Sequence, residues 1–179
     1  MKEDGIPDES ADLQAKEKAL RDALEKDPQS AGLSFRLAVL LQRQDRHAEA
    51  LGMADACLAI QPGNVQFLRL RIRMLLRLGR LGEAESTVRQ ALRENPDSAE
   101  LYLLSALVRL ENLHPGEAQK AIDAALRCAP GIEQLQRMKV LQRRVNAMLR
   151  TAEEQPLDWL KRKFNRRIAK ATEEREERD

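Results

Sequence analysis

The chain has 179 residues, with 31 Lys and Arg against 29 Asp and Glu and a formal net charge of +2. That near-balance gives no global attraction to nucleic acid or to an anionic membrane, and the length suits one compact domain or one short array of repeats. Aromatic residues are only 3% of the chain, while strong helix formers abound, so the composition excludes a strand-rich fold.

Residues 1–8 are polar, contain Gly5 and Pro7, and are expected to be disordered. They carry no apolar run, so no secretory leader is expected. No apolar stretch approaches the roughly 20 residues that span a bilayer, and the expected compartment is the cytoplasm. Residues 9–30 hold an amphipathic helix with Leu13, Leu20 and Leu24 on one side, read as an N-terminal cap.

From there the chain repeats itself. Pro28, Pro62, Pro96 and Pro130 are each 34 residues apart. The pairs Glu49-Ala50, Glu83-Ala84 and Glu117-Ala118 keep the same step, as do Ala23-Leu24, Cys57-Leu58, Ala91-Leu92 and Ala125-Leu126. Each proline lacks an N–H donor and marks the end of a helix. Gly79 suits the positive φ of a helix C-terminus, Ser30 suits an N-cap, and Asp97 with Glu100 has the spacing of a capping box. Small residues at fixed places let paired helices approach to about 8–10 Å between axes. One such pair cannot cover its own apolar face; stacking builds the core.

Beyond Pro130, residues 133–154 place Leu135, Met138, Leu141, Val145, Leu149 and Ala152 at helical spacing without the Glu-Ala marker, and are read as a C-terminal capping helix. Pro156 opens the last segment, 157–179, a basic amphipathic helix with an acidic, frayed end. Its stripe of Leu157, Leu160, Phe164 and Ile168 lies among Lys161, Arg162, Lys163, Arg166, Arg167 and Lys170. At about 100° per residue Trp159 falls opposite the stripe, which argues against a membrane-surface helix. The stripe is expected to pack on the array or on a second copy, giving a homodimer.

A 34-residue helix–turn–helix with these markers resembles the tetratricopeptide repeat family. In that register the units are 31–64, 65–98 and 99–132. The eighth position holds Ala38, Ile72 and Ala106, the twentieth Ala50, Ala84 and Ala118, the twenty-seventh Cys57, Ala91 and Ala125. The fourth position departs from the family's large aromatic (Ser34, Leu68, Tyr102), and the seventh keeps its Leu only at Leu37, with Arg71 and Ser105 elsewhere. The resemblance implies an all-α fold, a right-handed α-solenoid of three repeats with capping helices. It also implies a non-enzymatic scaffold, adaptor or chaperone whose first helices line a concave groove.

Carried over from the family, the groove positions are Phe35, Arg36, Val39 and Arg43, then Arg69, Leu70, Arg73 and Arg77, then Leu103, Leu104 and Leu107, with Arg137, Met138 and Leu141 extending the row. Arg69, Arg73 and Arg77 recur every four residues and form a ridge, either a solvated charged face or a set of carboxylate partners. The expected partner is therefore another protein or peptide, acidic with apolar anchors. The carboxylate clamp of chaperone-binding family members is missing, since its positions hold Phe35, Val39, Leu70, Glu100 and Leu104. Two other readings stand beside this one. The repeats, extra N-terminal helix and length resemble a type III secretion chaperone, and the basic run from Lys161 to Lys170 offers a nucleic-acid or membrane contact.

Nothing in the sequence points to catalysis: there is no Gly-rich phosphate loop, no HExxH pair and no nucleophile beside an activating partner. Cys57 and Cys128 are expected as buried free thiols, and His47 and His114 as surface residues near turns. They do not cluster in sequence, so neither a metal nor a cofactor is expected.

Overall fold

The computed structural model describes residues 9–154, and among these every regular element is an α-helix. In chain order they are α1 (Glu9–Lys26), α2 (Ala31–Arg43), α3 (His47–Ile60), α4 (Val65–Arg77), α5 (Leu81–Glu94), α6 (Ala99–Glu111), α7 (Pro115–Arg127) and α8 (Ile132–Glu154). The N-terminal residues 1–8 and the segment carrying Leu157, Leu160, Phe164 and Ile168 lie outside the described residues.

The turns show how the 34-residue step becomes structure. Between α2 and α3, α4 and α5, and α6 and α7, one residue takes a left-handed backbone: Asp45 at φ 57°, Gly79 at 75° and Leu113 at 58°. Each lets the next amide donate back to a carbonyl five residues earlier, Arg46 to Leu41 at 3.0 Å, Arg80 to Leu75 at 2.9 Å and His114 to Arg109 at 2.8 Å. This is the helix-ending arrangement that a left-handed residue permits. Only the middle turn uses glycine for it. α8 passes through the equivalent position, Ala147, without a break and continues to 23 residues.

The prolines occupy the other set of turns, after α1, α3, α5 and α7. The helix that follows Pro96 is capped by Ser98, whose hydroxyl accepts from the Leu101 amide at 3.4 Å. The capping box expected from Asp97 and Glu100 is therefore displaced: the cap sits one residue later, and Glu100 instead receives Arg137. Ser30 stands at the N-cap of α2 without a side-chain hydrogen bond.

The chain forms two compact units, residues 1–74 and 75–179, divided within α4. In the first, α2 packs on α1 and α3. Ala31, Cys57 and Phe67 form a buried cluster, with Phe35 tilted against Phe67 at 5.4 Å between ring centroids. In the second, α6 packs on α5, α7 and α8, and α7 on α8. There Leu103, Ala106, Leu110, Ala118, Ile122, Ala125, Met138 and Val145 share one core. The marker alanines Ala50, Ala84 and Ala118 are all fully buried, as are Ala38, Ile72 and Ala106. The twentieth position in particular, Ala50, Ala84 and Ala118, marks where paired helices leave room only for a small, uncharged side chain.

Candidate interaction surface

An open cleft of about 470 Å³ runs between α1 and α2 in the first unit. Ala19 and Leu20 of α1 and Phe35, Val39 and Leu40 of α2 form its apolar wall, and Lys16, Arg36 and Arg43 stand at its rim. Helical spacing explains the grouping: residues 36, 40 and 43 recur at i, i+4 and i+7, and so do 16, 19 and 20 at i, i+3 and i+4, each on one helix face. Lys16 is ion-paired with Asp12. Arg36 and Arg43 are exposed and make no ion pair among the described residues.

Ion pairs tie the α1 side of the cleft to the α2–α3 turn. Arg46, at the turn into α3, donates to Glu17 of α1 at 2.6 Å and to Glu49 of α3 at 2.6 Å. Arg21 of α1 reaches Glu49 at 3.1 Å and Glu17 at 2.8 Å. Burial pushes the Glu17 carboxyl up, but hydrogen bonds from Arg21 and Arg46 and their charges outweigh it, and the carboxyl stays below its ordinary range. Hydrogen bonding to Arg46 lowers Glu49 as well. Shared pairs of this kind fix α1 against the α2–α3 turn more firmly than an isolated surface pair would.

The groove positions inferred from the sequence divide into three groups. Phe35, Val39 and Leu107 are half-buried, Arg69 is half-buried, and Arg36, Arg43, Arg73 and Arg77 are exposed. On α4 the three arginines follow one another every four residues along one face. Leu70, Leu103, Leu104, Met138 and Leu141 are buried, so they hold the helices together and are not available to a partner. Arg137 is committed to Glu100, donating from one guanidinium nitrogen to both of its carboxylate oxygens at 2.5–2.6 Å and joining α8 to α6. The contributions of Lys16, Ala19 and Leu20 were missed. Their signal was present in the repeat register, because Lys16 stands 34, 68 and 102 residues before Ala50, Ala84 and Ala118.

Smaller, more polar clefts in the second unit surround Arg109, which pairs with Glu117 and donates to Ser105. Cys57 and Cys128 are free thiols that donate to the carbonyls of Ala31 and Ala124. Burial pushes the Cys57 thiol above its ordinary range, which makes it a poor nucleophile. His47 is half-buried, with its Nδ1 enclosed and unpartnered, so it is less of a surface residue than its place at a turn suggested. Among the described residues, no helix is long and apolar enough to cross a membrane.

Two family models described as tetratricopeptide repeat match the chain, over residues 14–65 and 41–108, together more than half of it. The chain belongs to the tetratricopeptide repeat family. A tetratricopeptide repeat protein from Parabacteroides merdae has a similar fold, with a TM-score of 0.64 at 22% identity, over 91% of this chain and 62% of that one. The TTC0263 protein of Thermus thermophilus, also a tetratricopeptide repeat protein, matches with a TM-score of 0.61 at 20% identity, over 87% and 91% of the two chains. At those identities the likeness establishes the all-α repeat-solenoid fold alone. The y4yS protein of Sinorhizobium fredii is 36% identical over 88 residues, 49% of this chain and 48% of that one, so the chain spans about half the length of that relative. The fold is that of a protein–protein interaction scaffold, a module that is typically non-enzymatic.

Proposed function

We propose that the chain is an adaptor or chaperone-like scaffold that holds an acidic, apolar-anchored segment of another protein on the faces of its first helices. The observation that carries this reading is the cleft of the first unit, where an apolar wall of Leu20, Phe35 and Val39 is accompanied by Arg36 and Arg43. Such a surface pairs carboxylates at its edge while it desolvates a hydrophobic side chain at its centre. The arginine ridge of α4 extends the same sign of charge along the next first helix.

The test is a titration of the intact chain with an acidic-apolar peptide and with its Gln/Asn analogue. The acidic peptide should bind roughly tenfold more tightly. Replacing Arg69, Arg73 and Arg77 together with Ala should weaken it while leaving the melting temperature nearly unchanged. Equal affinities for the two peptides, or no binding of either, would refute the reading. A nucleic-acid ligand would instead show affinity that collapses between low and moderate salt.

A further inference from the structure

The repeat register allows each pair of neighbouring helices to be laid over the next. α1 and α2 correspond to α7 and α8, 102 residues further on. Lys16 falls on Ala118, Leu20 on Ile122, Arg36 on Met138 and Val39 on Leu141. In the second unit those four residues belong to the buried core, and what covers them is α6, with Leu103, Ala106 and Leu110. In the first unit the corresponding four line an open cleft. The cleft is therefore the berth of a first helix, and no described helix precedes α1 to fill it.

The side chains of the berth identify its occupant. A face built only for water would be polar throughout, yet Leu20, Phe35 and Val39 remain half-exposed there. A face built for another helix of the array would carry the alanine and leucine seen elsewhere, yet Lys16 and Arg36 replace them. Arg36 and Arg43 lie seven residues apart, about 10 Å along the helix axis, on the side that a helix seated in the berth would flank. The segment beyond Pro156 carries an apolar stripe but is ringed by lysines and arginines of the same sign, so charge disfavours it.

We infer that the α1–α2 cleft takes an amphipathic helix from a partner protein, with an apolar face and glutamates or aspartates two turns apart that meet Arg36 and Arg43, and that this helix takes the place over α1 and α2 that α6 holds over α7 and α8. The inference rests on the scaffold reading above and adds the conformation of the ligand and the place where it sits.

The experiment uses the full chain and a labelled synthetic helix of about four turns, with a leucine face and two glutamates seven residues apart, followed by fluorescence anisotropy. Saturable binding is expected. Arg36→Glu with Arg43→Glu should weaken it by roughly tenfold or more, and should transfer preference to the same peptide with lysines in place of the glutamates. Both arginines are exposed, so unchanged thermal melting of the double variant serves as the folding control. A third peptide of identical composition with a central proline cannot form the helix. If it binds as well as the first, the helical berth is wrong while the acidic-apolar scaffold reading stands. Binding indifferent to the charge reversal overturns the berth in the same way. If neither peptide binds, both readings fall. Mass that rises with concentration in light scattering, and that the double variant abolishes without any peptide, would identify the occupant as a second copy and overturn the partner.

Discussion

The α1–α2 pair and the α7–α8 pair hold equivalent places in the 34-residue register but meet opposite surroundings. Ala118, Ile122, Met138 and Leu141 are sealed beneath α6; Lys16, Leu20, Arg36 and Val39 face an open cleft. A stack of like units must stop somewhere, and its last face cannot remain wholly apolar in water. At this edge the conversion is partial. Two of the four positions have become cations, and the other two have kept the hydrophobic side chain of the interior. The difference shows that the repeat register can be kept while the few residues on which a neighbouring helix would rest are rewritten. It also shows that a half-rewritten edge keeps enough apolar surface to bind.

The comparison breaks most violently if a residue is moved from the open edge to the closed one. Ala118→Lys puts into the α6–α7 contact the cation that Lys16 places at the same register position. Ala118 has no exposed surface, so the ammonium would be buried unpaired or the helices would separate. The expected loss is about 4 kcal/mol or more, read as a collapse of the chemical denaturation midpoint. A loss below about 1 kcal/mol, the range of ordinary surface substitutions, would mean that the two pairs are not equivalent and that the register is wrong.

That register was legible because steric limits are written in residue types. Where helices touch, only Ala, Cys or another small side chain fits, so Ala50, Ala84 and Ala118, and Cys57, Ala91 and Ala125, recur every 34 residues. The turns were half legible. Gly79 announced a left-handed residue, but Asp45 and Leu113 adopt the same conformation without the glycine that would have advertised it. The interaction surface was the least legible part. Family resemblance identifies helix positions, yet the same position is Arg36, exposed, in one repeat and Leu104, buried, in another. Whether a neighbouring helix covers a residue depends on how many units precede it, and a single position in a sequence does not carry that information. The four positions compared across 102 residues do carry it, once the structure shows which pair is sealed.

A smaller effect sharpens the account of the turns. Gly79 sits at φ 75°, and a Cβ added there would meet nothing within 4 Å. Gly79→Ala therefore isolates the backbone term: an L-residue held in the left-handed region loses about 1–2 kcal/mol. The check is equilibrium denaturation of the variant beside Gly63→Ala, where the added Cβ also meets open space and no positive φ is imposed. Equal stabilities for the two variants would show that the α4–α5 turn does not need the left-handed residue, and that its likeness to the turns at Asp45 and Leu113 carries no energetic weight.

The smallest expected effect is the mirror of the first. Lys16→Ala restores to the open edge the residue that the sealed pairs carry. Lys16 is exposed, and among the described residues its ion pair is with Asp12, one helical turn away, worth only about 0.3–0.5 kcal/mol on a helix surface. Alanine is also the better helix former by a few tenths of a kcal/mol, which offsets part of that loss. Stability should therefore stay within about 0.5 kcal/mol of the parent, against about 4 kcal/mol or more for the reverse exchange at Ala118. The asymmetry separates two explanations of the cleft. If α1 and α2 were closed over by some other part of this same chain, Lys16 would be a buried, paired cation, and truncating it would strand its partner and cost far more than a surface exchange. A near-neutral Lys16→Ala beside a ruinous Ala118→Lys leaves the edge facing water in the free chain, which is the state a partner helix needs to find.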